Sequence, residues 1–587
     1  MIFFLFHAVF STAFAFVAAS LAGHLNPLIA ALALIAACGP ANWGNRHVVN
    51  AFPNLKWRRF SPAPSGRFEV FLFTLILLLA TRQFAFLLTP SPTGLNTLNQ
   101  NNLGDLPCHI NYIRAMAAGT RFPILNPEFA AEPLRYPFGT DLYNALWECL
   151  GIPLHSHLFL TGTSLCAATL VVLRWFGGWW TISAFFFSGG CMALAAHGDS
   201  LSVSSAIDWK NLFLSVFVTQ RGFLVALPLG CLVLHAWRCH VSNPSQLSPS
   251  VQCVLGLIFG LLPLFHAHTF VAVSLFILTA SLIEAGLGGL KTLVVSRFLA
   301  CAVVPATYFV LRSTDGMQKA RVIEPGAFLQ QNAEFSSLWH QLWCNFGLWL
   351  LVPGLIVFLI FRSAGVVEKR KAIWRLFSIL SVFCLFLSVK FAPWSWDNIK
   401  LLIWPYLLLA QLAYEVLYPV PTLHQLALCG ALSLPGLASL VDSLRPPRQL
   451  ALEVYQRTFL NDAEGALQNL PADSVFIAAP DFNHPLTYFG RFRVLGYEGH
   501  LFSHAVSYVP TAQKQRAILT GDPHWRTLTR ELQATHIYWG PHERRLYGDT
   551  THEWMSVLTN VSKVKGVEIY PLHDSPTSAK EVIPRAP

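Results

Sequence analysis

The chain has 587 residues, of which 54% are hydrophobic and only 12% charged, whereas a soluble domain carries about 25% charged residues. With a mean hydropathy of +0.48, this composition excludes a soluble globular protein. The net charge of +10 is not a nucleic-acid footprint, because much of it sits in short basic loops between apolar segments.

Apolar runs recur near 1–22, 26–40, 68–88, 157–175, 177–197, 215–237, 251–267, 269–286, 291–312, 339–361, 374–391, 399–418 and 422–441. Runs of roughly 17–25 residues cross a hydrocarbon core about 30 Å thick. The expected fold is therefore a membrane all-α polytopic bundle of about thirteen helices. Met1 to Gly23 lacks a basic leading segment and runs into a second apolar stretch, so it reads as an anchor hairpin rather than a cleaved signal. Basic residues collect at Lys56, Arg58 and Arg59 through Arg67, and again at Arg362 and Lys369 to Arg375. Both clusters fall on one side by span counting, and the positive-inside rule makes that side the cytoplasm. The loop at 101–148, the segments 198–211, 313–338 and 391–398, and the tail then lie outside. Three regions follow: a hairpin and basic loop at 1–67, a bundle at 68–441 whose first outer loop spans 89–156, and an outer domain at 442–587.

The first outer loop is long and polar, and loops of that length are usually functional. Gly104, Asp105 and Pro107 read as a helix start, with Asp105 as N-cap and Pro107 in the first turn. A helix from there places Asp105, His109 and Tyr112 on one face, with Ile110, Ile113 and Ala117 opposite. A carboxylate and an imidazole one turn apart suit proton abstraction or cation binding. Equally, Asp105 caps the helix and His109 lies on the surface. Leu134 to Gly139, followed by Asp141 and Tyr143, forms a turn rich in aromatic and hydrogen-bonding groups. Within it, Arg135 and Tyr136 suit contact with a sugar ring, or ordinary loop packing. Cys108 and Cys149 are the outer-side candidates for a disulfide, with free thiols favoured on spacing. The 12 cysteines show no zinc spacing.

Three further outer positions place polar groups at span ends, where they are costly unless used. Gln220 and Arg221 interrupt an apolar run, and Arg221 suits a lipid phosphate or simple snorkelling. His266 and His268 alternate at a helix junction, which suits a structural pair or metal ligation. Trp394, Trp396, Asp397, Asn398 and Lys400 crowd one short turn, where Asp397 and Lys400 either meet a ligand or pair together. After residue 442 the apolar runs shorten to strand length at 474–479 and 536–539, with helical spacing over 511–534. This is the pattern of a small α/β domain.

The strings GDLPCHINYIRAMAAG and FPILNPEFAAEPLRYPFGTDLYNAL, with FHAHTF, TQRGF and WSWDNIK, resemble blocks of bacterial GT-C-type integral-membrane glycosyltransferases. Those enzymes take sugars from polyprenyl-phosphate donors. The resemblance implies a membrane glycosyltransferase with Asp105 as base on the acceptor hydroxyl and His109 assisting. It implies Arg221 and Lys400 as cations for the donor phosphate. Arg135, Tyr136, His266, His268 and Asp397 join them as substrate-binding candidates. The acceptor would be a lipid, a glycan or a protein, and the setting a bacterial inner membrane with a periplasmic tail. A divalent cation, magnesium or manganese, is an option rather than a requirement, and no other cofactor is expected. The chain departs from the family in carrying a lone acid: many members have two acids adjacent or one residue apart, whereas Gly104 precedes Asp105. A second carboxylate would come from Asp199, Asp208 or Asp397. Two other classes remain open, a transporter or flippase of lipid-linked saccharides and an inactive scaffold of the same fold.

Overall fold

A computed structural model describes residues 1–572 except 53–63, 191–206, 244–246, 316, 318–322, 327–334, 364–365, 418–419 and 550. The basic residues Lys56, Arg58 and Arg59 and the candidate Asp199 lie outside the described residues. Among the described residues, 10 helices are long and apolar enough to cross a membrane, or 11 if a pair bent by 61° between Val294 and Arg297 counts as one. Their outward faces carry bare apolar side chains, among them Leu21, Ile35, Leu78 and Leu311. Such surface is stable only against lipid. The chain is a multi-pass helical membrane protein.

The count falls short of thirteen for local reasons. The expected span 157–175 and the first part of the expected span 177–197 belong to one helix, Leu154–Phe186, broken at Gly177 and Gly178. Gly178 adopts φ 62, and a Cβ there would lie 2.7 Å from the Tyr414 ring. Gln411 Nε2 donates to the Phe176 carbonyl at 2.7 Å, and Tyr406 Oη donates to that of Ala184 at 2.8 Å. The chain therefore turns back along the Ile399–Leu417 helix after the glycine pair. The run near 251–267 forms a shorter helix, Pro249–Phe265. It packs closely on Arg297–Thr314 because Gly256 and Gly260 face it. A Cβ on Gly256 would meet the Phe298 carbonyl oxygen at 2.1 Å, and one on Gly260 would meet that of Ala302 at 2.5 Å. Small residues spaced by four are how apolar helices approach where no water drives them together.

One end of the bundle gathers the predicted outer segments. Strand Gly94–Thr97 of the first loop pairs antiparallel with Thr89–Pro90 and with Leu452–Gln456 of the tail. Glu324–Pro325 pairs with Val389–Lys390, and Trp394 Nε1 donates to Ser503 Oγ at 2.9 Å. Arg375, from the second basic cluster, meets Glu415 at the far end of the helix that begins beside Lys400. The tail holds a five-stranded sheet in the order Ser562–Val564, Val567–Pro571, His536–Trp539, Val475–Ile477, Phe492–Arg493, with the last three parallel. The single helix expected over 511–534 is two, Val509–Leu519 and Trp525–Glu531. Gly521 at φ 87 and Pro523 end the first.

Candidate active site

The first-loop helix runs Asn102–Ala117, starting four residues earlier than Asp105 as a cap would allow. Asn99 Oδ1 takes both the backbone N–H and the side-chain amide of Asn101 at 3.0 Å, so the approach to the helix is stabilised without Asp105. The Asp105 carboxylate is thereby free for another contact. Its Oδ2 accepts from Gln220 Nε2 at 2.6 Å. This carboxylate is half-buried, and it is not the cap.

His109 is 3% exposed, which removes the surface reading. Its Nδ1 contacts both oxygens of Asp141, at 2.9 and 3.1 Å. A carboxylate only accepts, so Nδ1 carries a hydrogen and donates it to Asp141. Asp105 and His109 thus share a helix but have separate partners. Asp141 lies in the first turn of the Gly139–Cys149 helix. In the sequence it reads as an ordinary acidic helix start, and its link to His109 spans 32 residues.

Tyr136 lies at the centre of this cluster. Its ring centroid is 5.7 Å from that of His109, 5.9 Å from Tyr112 and 4.6 Å from His504 of the tail. Burial pushes its hydroxyl well above the usual range, and the charges of Asp105, Asp141 and Asp397 add to that push. The charges of all three acids thus reach one phenol. Burial pulls His504 down to about 3, with His500 and Lys400 adding to that pull, so His504 is a neutral ring at the site. No sequence signal marked it. Arg135, expected to bind substrate, forms an ion pair with Glu132.

Arg221 is 1% exposed, and Nε, Nη1 and Nη2 are all buried without a hydrogen-bond partner. Among the described residues no other arginine has all three nitrogens in that condition. The charge acting on it is Asp141. The turn that presents it requires Gly222, where a Cβ would lie 1.8 Å from the Phe265 carbonyl oxygen. An uncompensated buried guanidinium is costly, and an anion would relieve it. The next residue along that contact is His266, whose Nδ1 accepts from Thr269 N at 3.1 Å and caps the Ala267–Thr279 helix. The imidazoles of His266 and His268 lie 5.6 Å apart, and the Nε2 of each is buried without a hydrogen-bond partner. Lys400 is electrostatically felt by both rings. Lys400 Nζ pairs with Asp397 Oδ1 at 2.8 Å and lies 5.4 Å from the Trp396 ring centroid. Of the two proposed phosphate cations, one is therefore paired and one is not.

Among the described residues the donor set does not fit a divalent cation. Asp105 is engaged by Gln220, Asp141 by His109 and Asp397 by Lys400. Among the described residues, the group whose ligand atoms converge within 4.8 Å is Cys108, Glu128 and His500. There both imidazole nitrogens are taken, by Glu128 Oε2 at 2.8 Å and the Gly104 carbonyl at 3.0 Å. Arg493 Nη2 already lies 3.3 Å from Glu128 Oε1. Cys108 and Cys149 are free, the latter directed at the Ala117 carbonyl at 3.7 Å. Of the other acids expected to complete a pair, burial pushes the Asp208 carboxyl up, against the opposing charge of Lys210.

A cavity of about 330 Å³ opens between the first loop, the start of the Leu154–Phe186 helix and the tail, where Arg114, Glu148, His155 and Tyr488 line it. Neither Asp105 nor Arg221 does. It connects to the cluster by one helix face: Asp141 holds His109, Asn144 holds His157 at 3.0 Å, and Glu148 holds both His157 and Arg114. No protein-family model matches the chain, and no curated protein matches it.

Proposed function

We propose that the chain is a membrane glycosyltransferase that moves a sugar from a polyprenyl-phosphate donor to a lipid, glycan or protein acceptor. In this reading the tail-bearing end is the outer face of a bacterial inner membrane, and the N-terminus lies in the cytoplasm. The observation that carries it is the buried, unpartnered Arg221, held one residue from Gln220, which in turn holds Asp105. A phosphoryl oxygen placed against Arg221 would supply the missing partner, with the Nε2 edges of His266 and His268 close by. Asp105 takes the proton from the acceptor hydroxyl, and the acceptor oxygen bonds to the anomeric carbon. The bond from that carbon to the phosphate oxygen breaks, and Arg221 stabilises the charge that grows on the departing polyprenyl phosphate. His109, oriented by Asp141, positions the acceptor, and Tyr136 offers a ring face to the sugar.

The test is direct. Full-length protein in lipid nanodiscs, given a polyprenyl-phosphate sugar and acceptor, releases polyprenyl phosphate, and Asp105→Asn stops the release. Full turnover by that variant would remove Asp105 from the chemistry. Transport of lipid-linked saccharides is a second reading, favoured by the helix broken at Gly177 and Gly178 and by the pair bent by 61°. Movement of intact donor across proteoliposomes, without release of polyprenyl phosphate, would select it.

A further inference from the structure

Asp105 follows a residue that the tail holds. His500, in the helix Glu498–Ser503, is buried at the seam between tail and first loop. Its Nδ1 lies 2.8 Å from Glu128 Oε2 and its Nε2 lies 3.0 Å from the Gly104 carbonyl oxygen. Neither oxygen has a hydrogen to give, so both ring nitrogens donate and the ring is an imidazolium. The seam is fixed on both sides of this bridge. Arg493 N donates to the Pro127 carbonyl at 2.8 Å, and Gly496 N donates to that of Glu128 at 2.7 Å. Gly104 sits within the first turn of the loop helix, next to Asp105. We propose that His500 is a positioning residue for Asp105: by bridging Glu128 and the Gly104 carbonyl it sets the first helical turn and so aims the carboxylate. This rests on the reading of Asp105 as the base of a glycosyl transfer.

The surroundings of the ring favour the doubly donating state. Burial works against its charge, but Glu128 outweighs it and holds the imidazolium well above the usual histidine range, with Cys108 acting in the same direction. The other titratable or charged groups facing it are Tyr112 on the loop helix, Arg493 across Glu128, and Tyr497 and His504 on its own segment. Loss of the proton at alkaline pH leaves one donor for two acceptors, and the grip on Gly104 or on Glu128 is released.

Nanodisc-embedded full-length protein tests this with two variants. His500→Ala lowers kcat roughly 10²-fold, the scale of a misplacement near 1 Å, while KM for the donor stays unchanged because Arg221 is untouched. Glu128→Gln keeps the side-chain shape and moves the alkaline fall of kcat to lower pH by at least about one pH unit. It also speeds hydrogen exchange of the 104–110 amides on the same pH scale, a readout that needs no turnover. Unchanged kcat in His500→Ala, or an unmoved alkaline limb and unmoved exchange in Glu128→Gln, overturns the proposal. A kcat loss matched by an equal loss of folded protein, with no change in the pH profile, also overturns it. Wild-type protein that releases no polyprenyl phosphate instead sinks the glycosyl-transfer reading, while the exchange readout still decides whether His500 holds the helix turn.

Discussion

The two ends of the bundle treat buried charge in opposite ways. At the end away from the tail, Arg238 Nη2 meets Glu284 Oε1 at 2.6 Å and Arg375 meets Glu415, so each guanidinium has its own carboxylate on a neighbouring helix. At the tail-bearing end Arg221 is more deeply buried and has none. Paired charges between helices fix how the helices meet. A lone one costs stability, a cost that a bound anion would offset. Position alone does not distinguish the two, since both arginines sit in apolar runs; the partner does.

Breaking the pairing at the far end should have the largest effect on folding. Arg238→Ala leaves Glu284 buried and uncompensated and is expected to lower stability by about 3–5 kcal/mol, read as a fall in the thermal midpoint in nanodiscs. Arg221→Ala should do the reverse: turnover falls about 10²–10³-fold, and the midpoint holds or rises. Unfolding by Arg221→Ala would erase the contrast between the two ends. A smaller effect is expected where helices touch without charge. Gly256→Leu forces Pro249–Phe265 away from the Phe298 carbonyl and should cost about 1–3 kcal/mol by overpacking, with turnover per folded molecule preserved.

The smallest effect is pH-dependent docking of the tail. The folded pKa of His500 is raised, so its contribution is full below the ordinary 6.5 and disappears as pH rises through the folded value. The folded pKa of Glu128 is lowered, mainly by His500 and then Arg493 against the opposing effect of burial. Its contribution is full above the ordinary 4.5 and disappears as pH falls through the folded value. Tail docking, followed by limited proteolysis near 442–452, should be tightest between about pH 4.5 and 6.5 and loosen as pH rises further. Loosening between those values would contradict the ion pair.

What could be read from the sequence follows from how each signal is encoded. Lipid-facing helices declare themselves by length and apolarity, so most spans and the start of the tail were legible. The glycine pair at 177–178 was not, because an apolar run looks the same whether the chain continues or turns back. Asp105, His109 and Tyr136 were legible as a polar loop out of keeping with its neighbours. Their partners were not, since Gln220, Asp141 and His504 reach them from 115, 32 and several hundred residues away, and nothing local marks such a meeting. Asp397 and Lys400 formed the pair that their spacing allowed. Arg135 meets Glu132, three residues earlier in sequence, a contact that the sequence analysis did not anticipate.

The three-stranded sheet that joins Gly94–Thr97 to Leu452–Gln456 has a consequence for biogenesis. A ribosome feeding this chain into a bilayer delivers the early strand more than three hundred residues before its mate. Every intervening span must therefore be inserted before the edge of that early strand is covered. A polypeptide released too soon, or clipped after the final span, would display an unmatched strand edge, the sort of surface that quality-control proteases and chaperones engage. Completion of translation is thus also the moment at which the Asp105 loop acquires its final shape.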